Sequence, residues 1–293
     1  MKQSLLVFLI GLLALAACTP TQPVEPAGPN VETMVAMTFE ALTALAPPPA
    51  TITVTLPANG PVVFFENASF VLPKEVASNA LAGTVPAAVG MADGPGWDVA
   101  PEHIKFQLEN YALYDTYHEP YILIIPAPEY AAVNEQAAKN IARLQAIISG
   151  AAAPTAKNLP HVTTFNAAQV FAAQIQLVQF QNGKGVRFLT EYAQYSASIN
   201  NKDMFYQFQG LTNDGKYYIL AILPASHPLL AYDEKPETVV PAGGIPFPGF
   251  GNQDALEAYY PSMESLLNSA APDSFNPPLT GLDALIQSIS IAP

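Results

Sequence analysis

The fold is decided by "AAQIQLVQFQNGKGVRFLTEYAQY" (172–195) and its continuation "MFYQFQGLTNDGKYYILAIL" (204–223). In the first stretch Val186, Phe188, Thr190 and Tyr192 alternate with Arg187, Leu189, Glu191 and Ala193, the period of a half-buried strand. Four strands are expected, over 172–181, 185–195, 204–211 and 216–223. Asn182-Gly183 and Asp214-Gly215 stand between successive strands, and both dipeptides favour the φ > 0 conformations of tight hairpins. An antiparallel meander follows.

Working upstream, "HIKFQLENYAL" (103–113) sets Ile104, Phe106 and Leu108 against Lys105, Gln107 and Glu109, a further half-buried strand. "YILII" (121–125) is apolar throughout and reads as a fully buried strand closed by Pro126. Residues 129–149 have helical spacing, with Val133, Ala137, Ile141, Leu144 and Ile148 on one face and Gly150 where a C-cap belongs. Glu135 and Lys139 form an i,i+4 pair on the wet face. "PVVFFENASFVLP" (61–73) reads as two short strands about Glu66-Asn67, and 83–101 as loop. Downstream, "ALEAYYPSMESLLN" (255–268) is helical with Pro261 at a break or first turn. "LTGLDALIQSISIAP" (279–293) carries Thr280 and Asp283 at capping spacing and a stripe of Leu282, Leu285, Ile286 and Ile289. The expected fold class is α+β: a mainly antiparallel sheet with flanking helices, in a single globular domain over 58–293.

The N-terminus has a different character. Lys2 precedes an uncharged run from Leu5 to Ala17, within the roughly 7–15 residues of an export-signal core. It falls short of the ~20 residues that span a bilayer. Leu15-Ala16-Ala17-Cys18 resembles the lipobox of bacterial lipoproteins. The resemblance implies that residues 1–17 are removed, that Cys18 carries acyl chains, and that the protein is anchored in the cell membrane or outer membrane, facing outside the cytoplasm. One buried chain holds weakly at about 0.8 kcal/mol per CH₂, whereas two or three hold firmly. Residues 18–57 read as a tether, with Pro20, Pro23, Pro26, Pro29 and Pro47 to Pro49 around a short helix over 31–46.

Composition narrows the partners. The formal net charge is −13, and loss of Lys2 with the signal makes it −14. That balance excludes nucleic acid, whose phosphates need Lys/Arg contacts. Half of all residues are hydrophobic and 12% charged, which provides for a sizeable core. The sole cysteine, Cys18, leaves no internal disulfide and no cysteine-ligated zinc.

The features "FFENASFVLP", "GVRFLTEYAQY", "GLTNDGKYYILAILP" and "LDALIQSISI" together resemble the PsbP-like family, over about half the chain. The resemblance implies an antiparallel sheet between helical layers, an α/β/α sandwich, and a binding or assembly role. None of that family's functional residues carries over.

No G-x-S-x-G elbow, H-E-x-x-H, P-loop or G-x-G-x-x-G is present. No catalytic residue, metal or other cofactor is assigned. "YALYDTYHEPY" (111–121) places Asp115, His118 and Glu119 close together, with Tyr114 and Tyr117 offering aromatic faces to a ligand such as a sugar. The simpler reading is a sheet edge with solvated polar groups. Trp97, in a Gly/Pro loop, and Phe247 and Phe250, in "VVPAGGIPFPGFGNQD" (239–254), either pack back on the core or face a ligand or an envelope protein. A binding or envelope-assembly module is expected ahead of two alternatives, an exported hydrolase and a substrate-capturing lipoprotein. A polar cleft uniting His118, His161 or His227 with carboxylates would favour the enzyme.

Overall fold

The computed structural model describes residues 60–90 and 99–293. The expected export signal, Cys18, the expected tether and Trp97 lie outside the described residues. The described residues belong to one compact unit, Ile52–Pro293.

The meander forms as its alternation predicts. Strands β1 (Val62–Phe65) and β2 (Ala68–Val71) make a hairpin, with Glu66 at φ 52° in its two-residue turn. β3 (Asn79–Val85), β4 (His103–Glu109) and β5 (Tyr121–Pro126) lead to helices α1 (Ala127–Val133) and α2 (Glu135–Ile148). Next come β6 (Ala168–Gln169), β7 (Ala173–Phe180), β8 (Gly183–Thr190), β9 (Tyr192–Ala193), β10 (Phe205–Thr212) and β11 (Tyr217–Pro224). Helices α3 (Gln253–Ser269) and α4 (Leu279–Ser288) and the short β12 (Ser290–Ile291) close the chain.

Seven strands form one antiparallel sheet in the order β3-β4-β5-β11-β10-β8-β7, beside a three-stranded sheet β1-β2-β12 and the pair β6-β9. Alternate residues of each central strand face opposite helical layers. Phe106, Ile122, Ile219, Tyr206, Phe208 and Phe180 pack with Met263, Leu267, Leu282 and Leu285 of α3 and α4. Leu123, Leu220, Ile222, Phe188 and Phe205 pack with Tyr130, Ile141, Leu144 and Ile147 of α1 and α2. Each fully buried Leu, Ile or Phe contributes about 1.5–3 kcal/mol, and both sheet faces are filled this way. Among the described residues, no helix is long and apolar enough to cross a membrane.

Several local expectations are corrected. The strand over 83–85 continues β3 into what reads as loop. The helix expected over 129–149 is two helices, because the Asn134 side chain accepts the Ala137 N–H at 3.0 Å and caps α2 afresh. Val133 is therefore half exposed instead of on the core stripe. Gly150, at φ +79°, does end α2, its N–H donating to Ile147 at 3.1 Å. Pro261 interrupts nothing: α3 runs through it, held by buried Leu256, Tyr259, Met263 and Leu267. Gly183 has no left-handed φ and lies inside β8, where a Cβ would stand 2.0 Å from Phe180 Cζ and 2.3 Å from the Leu211 oxygen. Its role is close packing; Gly215, at φ +71°, is the turn glycine.

Arg187 and Asp283 are the largest departure. Arg187 is not on a wet face: it is 2% exposed and bonds both Asp283 oxygens, at 3.1 and 3.2 Å. Its guanidinium also reaches the Gln174 carbonyl and Gln176 Oε1. Gln174, at φ 55° in a β7 bulge, donates through its amide side chain to the C-terminal carbonyls of α3. Asp283 thus pins α4 to the sheet and caps nothing, while Thr280 donates to Asp273.

Candidate carboxyl and aromatic cleft

The strand expected to run to Tyr195 stops at Thr190, which pairs with Phe205 at the end of β10. From there β9 turns away to pair with β6, and Val170 donates to the Glu191 carbonyl at 2.8 Å. This turn directs the Glu191 side chain inward, where it is 2% exposed. Its Oε2 accepts the Asn200 N–H at a long 3.4 Å. Its Oε1 has no partner among the described residues.

Asn200 organises the segment opposite. Its Oδ1 accepts the N–H groups of Lys202 and Asp203, at 2.9 and 3.2 Å, and its Nδ2 donates to Asp203 Oδ2 at 2.8 Å. Asp203 is thereby presented to the same space as Glu191. Glu234 arrives from the segment after β11, accepting the Tyr195 hydroxyl at 2.5 Å. The three carboxyl groups line a cleft of about 610 Å³, with Tyr117, His118, Phe165 and Tyr195 among its other walls. Ligand clefts run from about 300 to 1,000 Å³.

Burial, then the nearby Asp203 charge, raises the Glu191 carboxyl well above the usual range. Burial also raises Asp203. Tyr195 is pushed up to about 12 by its bond to Glu234. His118 stacks on Phe165 at 4.8 Å and 17° and meets Phe205 edge-on at 4.7 Å. Burial pushes its imidazole down to about 4, so the ring is neutral.

The structure separates the expected ligand cluster. His118 and Tyr117 line the cleft. Asp115, at φ 57°, turns the other way to Lys202 (3.5 Å) and the Tyr232 hydroxyl. Tyr114 is 90% exposed and Glu119 is exposed, and neither lines the cleft. Asp115, His118 and Glu119 therefore do not converge, because the left-handed residue splits their directions. Among the described residues no group of three or more metal-capable side chains comes together. Phe247 folds back, its ring 5.2 Å from Tyr259, whereas Phe250 is 70% exposed. Both line a second, more apolar cavity of about 610 Å³, and Glu234 borders this cavity as well as the cleft.

Glu191, Asp203, Glu234 and Tyr195 were not among the candidates read from sequence. Glu191 falls on the polar side of an alternating strand, which mimics a solvated face; only the bend after Thr190 buries it. A carboxylate between Thr190 and Tyr192, at the end of a strand rich in Val, Phe and Leu, was the available signal.

The cleft unites His118 with carboxyl groups, the arrangement expected to favour an enzyme, although His118 forms no hydrogen bond with them. His227 faces Ser274 (3.1 Å) and Phe275, and His161 lines a separate groove beside α2. What the arrangement can do is accept hydrogen bonds and positive charge against aromatic walls. No family model matches the chain, and neither a curated protein nor a solved structure is detectably similar to it.

Proposed function

We propose that this chain is an exported lipoprotein, anchored through acyl chains on Cys18, whose folded part is a binding module acting outside the cytoplasmic membrane. The anchoring rests on Leu15-Ala16-Ala17-Cys18 after an uncharged apolar run. The binding role is carried by one observation: Glu191, almost wholly buried and with one oxygen unbonded, opens onto a ligand-sized cleft. The unbonded oxygen is left to the cleft, where a ligand donor can reach it. The two helical layers about an antiparallel sheet support the likeness to the PsbP-like family and its sandwich. The Pro-rich tether holds the acidic domain away from the headgroups, where an envelope protein or an extracellular ligand can reach it.

Two experiments test this reading. Cys18→Ala should abolish incorporation of radiolabelled fatty acid; continued labelling defeats the anchor. A thermal-shift screen of soluble ligand classes should find one that stabilises the protein and fails to stabilise Glu191→Ala.

An exported hydrolase is the second reading, favoured by the buried Glu191, whose carboxyl is raised, beside Asp203 and the exposed Glu234, since carboxyls in unlike environments can divide acid and base roles. Glu191-dependent turnover of a glycoside or ester, without ligand stabilisation, would establish it.

A further inference from the structure

The walls of the cleft specify a ligand charge. Three carboxyl groups line it, and neither Lys nor Arg does. The neighbouring cation, Lys202, pairs outside the cleft, its Nζ 3.5 Å from Asp115 and 5.9 Å from the centre of the Tyr232 ring, though its charge is felt at Asp203. The histidine in the wall is neutral. Tyr117 and Tyr195, 72% and 55% exposed, leave aromatic surface uncovered at the rim, and Phe165 lies deeper. An aromatic face attracts a cation within about 6 Å of its centre.

Glu191 adds an independent indication. Its carboxyl is buried beneath the cleft with Oε1 unbonded and Oε2 held by one long contact. The groups acting on it from the packed elements are Asp203 and Glu234, with the phenols Tyr195, Tyr259 and Tyr260. None of these is a cation, so a positive ligand would be the first charge to compensate it.

We infer that the cleft between Glu191, Asp203, Glu234 and the rings of Tyr117 and Tyr195 binds an organic ammonium ion carrying N–H donors. The inference rests on reading this cleft as the ligand site. The ammonium donates to Glu191 and Asp203, its alkyl part lies against the rings, and Glu234 at the rim takes a second amino group. A cation beside Glu191 favours its ionised form, so binding is linked to the protonation of this carboxyl. A bare metal ion fits less well, since it could not use the rings and would need several converging oxygens.

The test is isothermal titration calorimetry of the full chain in detergent with spermidine, at neutral pH in buffers of different ionisation enthalpy. Spermidine should bind with a saturable heat. Glu191→Gln should weaken binding about tenfold or more. Tyr195→Ala and Glu234→Gln, at exposed positions that cannot unfold the core, should each weaken binding severalfold. Tetramethylammonium, which lacks N–H donors, should bind more weakly, and calcium chloride should not compete. The inference is overturned if spermidine gives no saturable heat, if its binding is indifferent to all three variants, or if calcium displaces it. A neutral oligosaccharide that binds, and is lost in Glu191→Gln, would overturn the ammonium while leaving the cleft as the ligand site. Indifference of every ligand class to the variants would remove both.

Discussion

Asp283→Ala should be among the most damaging single substitutions in this protein, although sequence alone would place Asp283 at an ordinary helix start. The carboxylate accepts from Arg187 Nε at 3.1 Å, Arg187 Nη2 at 3.2 Å and the Tyr206 hydroxyl at 2.8 Å. Arg187 is 2% exposed and Tyr206 wholly buried, so neither can turn to water when the acceptor is lost. Removing one partner of a buried pair costs about 3–5 kcal/mol. Arg187 retains the Gln174 carbonyl and Gln176 Oε1, which favours the lower end. The orphaned Tyr206 hydroxyl adds about 1 kcal/mol. The expected loss is therefore about 3–4 kcal/mol, or roughly 10 °C in Tm for a domain of this size. Equilibrium urea unfolding at neutral pH measures it, with the m-value unchanged if only the native contacts are altered. Arg187→Met combined with Asp283→Leu should recover most of the loss, because the desolvated charge is then gone. A single variant within about 1 kcal/mol of the parent would refute the reasoning, since the pair would be behaving as a solvated surface contact.

Glu191→Gln should change how stability depends on pH. The folded carboxyl is raised, so its favourable contribution is complete below the unfolded value, near 4.5, and is lost as pH rises through the folded value. The variant should match the parent in mild acid and surpass it increasingly toward neutral and alkaline pH; parallel urea midpoints across that range would contradict this. His118 acts with the opposite sign. Its imidazole falls from 6.5 to about 4, so its stability is present above pH 6.5 and lost as pH drops through 4. That amounts to about 3 kcal/mol across the window, which His118→Phe should abolish in acid unfolding curves. Gly183→Ala should cost about 1–3 kcal/mol by overpacking, because the Leu211 carbonyl 2.3 Å from the added carbon belongs to the sheet backbone. A thermal midpoint equal to the parent's would show that the two strands can separate there. Finally, a chain beginning near Ala58 should keep nearly the parent's midpoint; its unfolding would make the segment over 31–46 part of the core.

The four meander strands, those over 103–109 and 121–126, their antiparallel pairing and the helix of Ala137, Ile141 and Leu144 were legible because each depends on neighbours close in sequence. Alternation over 186–190 or the turn at Asp214-Gly215 needs no knowledge of the rest of the molecule. The proposal of export and lipidation also rests on a local signal, the linear tetrapeptide Leu15-Ala16-Ala17-Cys18. Non-local facts decided everything that the alternation misassigned. Arg187 and Glu191 sit at the polar beat of one strand, and only the packing of α4 and the bend after Thr190 show that both are buried. The split of Asp115 from His118 is set by one left-handed residue and by Lys202 and Tyr232, which approach from distant segments. The cleft draws its carboxyls from three separate segments, so no spacing rule could have joined them. A local pattern states which side of an element is apolar; whether the other side meets water or a second layer depends on the tertiary structure, and here that choice put a carboxyl group into the interior.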